Sequence, residues 1–373
     1  MNYQEYIREL TAAADSPKAA ILASCKKNGK RAVGWVAPYA PEEIIYAAGC
    51  IPVGLWGGEA ELKKARTYLP PFACSIMQSI MEFEANGTYD DIISAVVIPA
   101  PCDTLKCFGQ KWKGKCPAVR FVHPQNRHVP GANEFLVAEY EHVRKCLREI
   151  LGAAITDEEL SDAIRLYNDY RFAMRTFTHV ASEHLDVITP VVRHKIIKAS
   201  FFMDKKDYLQ LINGLITELR KQPRNQWSGR KVVITGITFE PEALLKVFED
   251  YNVAVVADDI AQESRQFRTD VPFYGTPMQS LAKQWQIHEA CSLAFDANKR
   301  RVEYLTELVR ANDADGLVIG LMKFCDPEEY DVPIIMQACE KAGIPLLNIE
   351  IDQQAAGVGQ NRTRIQAFVE TMA

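Results

Sequence analysis

Long apolar runs are missing from this chain: none of its 373 residues lies in a stretch approaching the roughly 20 that would span a bilayer. Charge of one sign is missing too. The 43 Lys and Arg stand against 48 Asp and Glu, a net charge of −5, which argues against a nucleic-acid binder or a polybasic membrane-surface protein. Low-complexity segments are absent. The opening residues, MNYQEYIRELTAAADSP, carry charges where a secretory signal would need an apolar stretch. These absences together predict a soluble, cytoplasmic protein with neither nucleic acid nor membrane as partner. No GxSxG elbow and no P-loop is present, so no nucleotide-hydrolysing machinery is visible. There is also no compact CxxCxxC run.

What is there is globular in composition. Apolar residue types make up 48% and charged types 24%, which excludes wholesale disorder, collagen and coiled coil. The length suits two or three compact units. Four short apolar runs come first: Arg31–Val36, Pro52–Trp56, Asp91–Ala100 and Cys116–Val122. The segment IISAVVI at 92–98 is β-branched and apolar throughout, as a strand covered on both faces should be. Between the first two runs, Pro41 and Glu42–Glu43 suit a helix first turn and Gly49 its end. A second set follows at Lys231–Ile237, Val253–Asp259, Gly316–Leu321 and Pro345–Ile351, with helical stretches at Pro241–Asp250 and Glu328–Ala342 between. Strand, helix, strand in succession is the pattern of a parallel sheet. The middle of the chain is helical: Phe135, Leu136, Tyr140, Val143 and Leu147 recur at helical spacing, and Thr156–Glu159 reads as a capping box. KQPRNQWSG at 221–229 is polar and broken by Pro and Gly, which marks a boundary. The expectation is α/β, with two Rossmann- or flavodoxin-like domains of short parallel sheets at 1–133 and 227–373 and a helical region at 134–226 between them. No residue-level repeat relates the two sheets.

Ten cysteines in a reducing compartment are not expected to form disulfides. Buried filler, metal ligation and catalysis remain. Cys102 follows the strand at 91–100, and Cys325 follows the strand at 316–321. Each is followed by Asp, and Asp326-Pro327-Glu328-Glu329 is a strong helix start. Both thiols should sit where a parallel strand hands over to a helix, the ligand-binding edge of an open α/β sheet. Cys74 follows two prolines at the start of a predicted helix. Helix starts lower a thiol's pKa and stabilise anions, and a thiolate-ligated iron–sulfur cluster is an anion that needs soft ligands. Two domains presenting sulfurs into a shared cleft could hold one cluster, and three ligands would leave one iron open. The bland alternative is that these cysteines are buried small residues, the reading taken for Cys25, Cys50, Cys116, Cys146, Cys291 and Cys339. Cys107 lies five residues after Cys102 and competes with it. The strand–Cys–Asp pattern repeated at Cys325 favours Cys102.

Other candidates are weaker. His123 and His128 flank a polar loop read as solvated, since zinc would need more ligands nearby. His179, His184 and His194 are read as surface or half-buried imidazoles on the helical middle. Gly357-Val358-Gly359 lacks the third glycine of a dinucleotide fingerprint. Lys26–Arg31 is read as a solvated basic loop with a lesser claim on a CoA phosphate. Asp258–Asp259 is read as a strand-end cap rather than an acid/base pair.

The segments APEEIIYAAGCIPVGLWGG, FACSIMQS, CDTLKCFGQKW, VHPQNR, VVADDIAQESRQFRTDVP, MKFCDPEEYD, EIDQQ and TRIQAFVE together resemble the 2-hydroxyacyl-CoA dehydratase family, which also includes benzoyl-CoA reductase subunits. The resemblance covers nearly the whole chain. In length and motifs the chain looks like the smaller β subunit of a 2-hydroxyglutaryl-CoA dehydratase-type component. The resemblance implies an oxygen-sensitive heterodimer with a larger α subunit, each subunit holding a [4Fe–4S] cluster, in anaerobic amino-acid fermentation. A separate ATP-dependent iron–sulfur activator would inject one electron. An (R)-2-hydroxyacyl-CoA would pass through a ketyl radical anion, lose its hydroxyl and a β-proton, and return the electron as the (E)-2-enoyl-CoA forms, a net lyase reaction. Carried over residue by residue, Cys74, Cys102 and Cys325 would ligate the β cluster, with Cys107 in reserve. Ser75, Gln78 and Asp103 would be orienting donors, or equally helix caps and core polar groups. No catalytic residue of this chain is assigned. A flavin is invisible to this reading, and the acyl group is not specified. Two alternatives stay open: a benzoyl-CoA reductase-type subunit, which consumes electrons, and a cluster-bearing accessory protein.

Overall fold

The structure, a computed structural model, describes residues 1–112, 114–354 and 357–372. The eight apolar runs are eight strands in two wholly parallel sheets. The first sheet contains β1 (Ala32–Val36), β2 (Ile51–Leu55), β3 (Ile93–Ala100) and β4 (Ala118–Val122). The second contains β5 (Arg230–Gly236), β6 (Val253–Ile260), β7 (Gly316–Met322) and β8 (Leu346–Ile351). Their orders are the same, β2-β1-β3-β4 and β6-β5-β7-β8. In each, the winding reverses beside the first strand. That leaves a crevice at the carboxyl ends of β1 and β3, and another at those of β5 and β7. Every residue of β1 and β2 is buried, which is why these strands read as unbroken apolar runs.

The helical middle divides between two cores. Helix Ala132–Leu151 lays Leu136, Tyr140, Val143 and Leu147 on the first sheet. Helix Asp157–Ala181 opens with the expected capping box: Thr156 Oγ accepts from the Glu159 amide at 3.2 Å, and the Glu159 carboxylate accepts the Thr156 amide at 2.7 Å. Its later turns pack with Pro190–Ala199, Lys205–Leu219 and the first helix, Tyr3–Asp15, around Tyr167, Met174, Phe177 and Tyr208.

Two features depart from expectation. The single helix expected over Glu328–Ala342 is two, Asp326–Glu329 and Val332–Ala342. Pro333 has no N–H to continue a helix but suits the first turn of a new one. The second departure is larger. In the connection between β6 and β7, Val271, Met278, Leu281, Ala282, Trp285, Cys291, Leu293 and Ala294 cross over and join the core of the first sheet. Trp285 Nε1 donates to the Pro124 carbonyl at 3.3 Å, and Gln286 Nε2 to the Arg127 carbonyl at 3.2 Å. No helix among the described residues is long and apolar enough to cross a membrane.

Candidate thiol site at the sheet edges

Cys74, Cys102 and Cys325 occupy equivalent local positions, each immediately before the first residue of a helix: Ser75–Ala85, Asp103–Lys111 and Asp326–Glu329. Cys102 lies just past β3 and Cys325 just past β7, the same place in the two sheets. The fold brings the three together: all pack against one core, and each sulfur lies within electrostatic reach of the others. Burial pushes the Cys74 thiol up to about 12, raises Cys102 and lifts Cys325 well above the ordinary range. Backbone amides act the other way: those of Met77 and Ile76 on Cys74, Leu105 and Thr104 on Cys102, and Glu328 on Cys325. Among the described residues, the groups that act most strongly on these thiols are amides, carboxylates and the other thiols, and a metal would supply the opposing charge.

Among the described residues no group of three or more His, Cys, Asp or Glu is gathered tightly enough for a single metal ion. Cys107 is exposed on helix Asp103–Lys111 and is not among the cysteines packed on the shared core.

The neighbours named with the thiols separate on inspection. Ser75 is buried, and its Oγ accepts the Gln353 amide at 3.3 Å. Gln78 turns back to the Ala73 carbonyl and stiffens the turn before Cys74. Asp103 is exposed and pairs with Lys106, a helix first-turn acid whose charge opposes the Cys102 thiolate. The turn after Cys325 is held by a buried network that the sequence did not reveal. Glu328 accepts from Arg265 at 3.0 Å, Arg301 at 2.6 Å and Ser292 at 2.6 Å. Asp259 accepts from Arg265, Arg268 and Arg301 at 2.6–2.9 Å. Burial would raise the Asp259 carboxyl, but the three guanidinium groups outweigh it and hold it far below the usual range. Asp258 is the cap expected, accepting the Ile260 and Ser264 amides at 3.0 Å each, and it also pairs with Arg193. The basic cluster near residue 30 is engaged internally: Lys27 with Asp207 at 2.8 Å and Lys30 with Asp204 at 2.7 Å.

The histidine expectations need correction. His123 is not in a solvated loop; it is 2% exposed. Its ring lies 4.9 Å from Phe121 and 4.5 Å from Trp285, and burial pushes its pKa down to about 3. With Tyr39, Tyr140, Trp285 and His288 it lines a cavity of about 60 Å³. The covering residues come from the β6–β7 connection, far away in sequence. His184 is also buried. So is His194, which bridges Glu263 at 2.8 Å and Glu240 at 3.3 Å.

Residues 38–372 match the family described as 2-hydroxyglutaryl-CoA dehydratase, D-component. The chain belongs to that family. It is 45% identical over 368 residues to "Lactoyl-CoA dehydratase subunit beta" of Anaerotignum propionicum, covering 98% of each chain. It is 40% identical over 374 residues to "(R)-phenyllactyl-CoA dehydratase beta subunit" of Clostridium sporogenes, covering 100% of each. It is 36% identical over 376 residues to "(R)-2-hydroxyglutaryl-CoA dehydratase, subunit beta" of Acidaminococcus fermentans, covering 98% of each. These three relatives are dehydratase subunits, and this chain is a subunit of such a hydro-lyase, of the β type.

Proposed function

We propose that this chain is the β subunit of an (R)-2-hydroxyacyl-CoA dehydratase and holds a [4Fe–4S] cluster through Cys74, Cys102 and Cys325. The observation that carries the reading is the convergence of three half-buried thiols, each faced by backbone amides, from three separate helix starts at the ends of two sheets. The donor set fits. Thiolates are the soft ligands such a cluster takes. A lone ion would draw them to within about 2.3 Å of one centre, whereas a cubane offers each thiolate its own iron. The amides offset sulfur charge, and the thiols pack partly buried against the apolar core. When bound, the cluster would supply a one-electron relay to a larger α subunit that takes the 2-hydroxyacyl-CoA, with an ATP-dependent activator as electron source. The lack of a P-loop in this chain agrees with a separate activator.

The test is anaerobic co-purification with the longer subunit, then iron and acid-labile sulfide counts on this chain alone. About four of each per chain is expected, with dehydration only when partner and activator are both present. No iron under strict anaerobiosis would overturn the ligand reading, and activity of the isolated chain would overturn the subunit reading.

A further inference from the structure

We infer that Gln353 and Gln354 are positioning residues that set how far the Cys74 and Cys102 thiols of the first α/β half stand from the Cys325 thiol of the second. The inference rests on the three-thiol reading above. Gln353 lies two residues past β8 and is 1% exposed. Its Nε2 donates to the Trp56 carbonyl at 2.7 Å and to the Glu240 carboxylate at 3.2 Å. Its Oε1 accepts the Gly58 amide at 3.2 Å, and its own amide donates to Ser75 Oγ at 3.3 Å. One buried residue therefore ties the edge of the second sheet to the loop after β2 and to the residue beside Cys74. Gln354 doubles the joint. Its Nε2 donates to Ser79 Oγ at 2.8 Å, its Oε1 accepts the Ala60 amide at 2.9 Å, and Ser79 passes the link to the Ser75 carbonyl at 2.9 Å.

The joint is tight on both sides. A Cβ on Gly57 would stand 2.5 Å from Gln353 Oε1, and Gly57 has a φ of +74°. No other residue fits there without strain. Ser75 Oγ also faces Met322 Sδ at 3.7 Å. Met322 ends β7 three residues before Cys325, so the joint lies within one to three residues of thiols on both sides. An apolar side chain of similar size would fill the space. Only an amide offers a donor to the Trp56 carbonyl and an acceptor to the Gly58 amide at once, and leaving either unmet in the interior is costly.

The experiment uses the full chain with Gln353→Glu, which sets a carboxylate against the Trp56 carbonyl and Glu240, and Gln354→Met, which removes two bonds at nearly constant volume. In Gln354→Met, hydrogen exchange at Ala60 should quicken about tenfold, the scale of one lost buried hydrogen bond, and in Gln353→Glu exchange at Gly58 should quicken by a similar factor as repulsion between the new carboxylate and Glu240 opens the joint. After anaerobic loading with iron and sulfide, loss of iron to a chelator should quicken by a similar factor, and the low-temperature EPR spectrum of the reduced protein should shift. Faster exchange with wild-type iron loss and EPR in both variants would show that the glutamines merely join the domains, and overturn the inference. Unchanged exchange would overturn it as well. Should Gln353→Glu not fold, Gln354→Met decides. Should the wild-type chain take up no iron, the three-thiol reading is what fails. The joint is then judged by exchange and by the yield of Cys74–Cys325 crosslink from a short bis-maleimide, which must differ between wild type and variant.

Discussion

Each of the three sulfurs is under two opposed influences: burial that favours the neutral thiol and backbone amides that favour the thiolate. Neutral, they pack as small apolar groups; charged, they need a cation. Cys102→Ala and Cys325→Ala should each lose most bound iron after anaerobic reconstitution, while Cys107→Ala keeps it, because Cys107 faces outward. Full iron retention in Cys102→Ala would remove that residue from the ligand set. Cys339 is 1% exposed and packs with Ile335 and Leu317. Cys339→Ala should therefore keep its iron and cost about 1 kcal/mol in stability, read by denaturant titration. His123 carries a pH prediction. Its folded pKa near 3 lies below the ordinary 6.5, so the unfolded chain takes up the proton first. Stability then falls as pH drops from about 6.5 toward 3, by about 1.4 kcal/mol per unit at full effect. His123→Phe should flatten the loss of thermal stability between pH 7 and pH 5, and an unchanged slope would show that solvent reaches the ring.

Elements begin where local chemistry tells them to, and this is where the sequence is most legible. Thr156 and Glu159 cap helix Asp157–Ala181 reciprocally, and Thr156→Ala should cost about 1 kcal/mol in thermal unfolding without touching iron content. Asp326-Pro327-Glu328-Glu329 reads locally as a helix start, and it is one. The same letters conceal a second duty: Glu328 is 1% exposed and bonded to Arg265 and Arg301. Nothing in the local pattern distinguishes a first-turn acid that faces water from one that anchors two buried arginines. Glu328→Gln would leave both guanidinium groups short of charge and should destabilise by about 3–5 kcal/mol in chemical denaturation, far more than loss of a solvent-facing cap.

At the scale of the molecule, two sheets of identical strand order are joined by more than the linker at 220–229. The β6–β7 connection sends Trp285 and its neighbours across to the first sheet, and Gln353 returns the contact near Cys74. Trp285→Ala should cost about 3–5 kcal/mol and raise hydrogen exchange in helix Ala132–Leu151, although the two are more than a hundred residues apart in sequence. Exchange confined to helix Pro277–Ile287 would show that the crossing contributes little to the first core.

The sequence by itself determined the eight strands, the helix starts and the positions of Cys102 and Cys325 at strand ends, because short apolar runs, capping and turn chemistry act over a few residues. It also carried the family, through motifs spread along the chain. Only the tertiary structure decided that Cys74 joins the other two thiols, that Cys107 faces away, that His123 is sealed under a distant segment and that Arg265 and Arg301 converge on Asp259 and Glu328. Those outcomes depend on which surfaces meet when the elements pack. Packing between residues on different elements leaves no period in the chain to read.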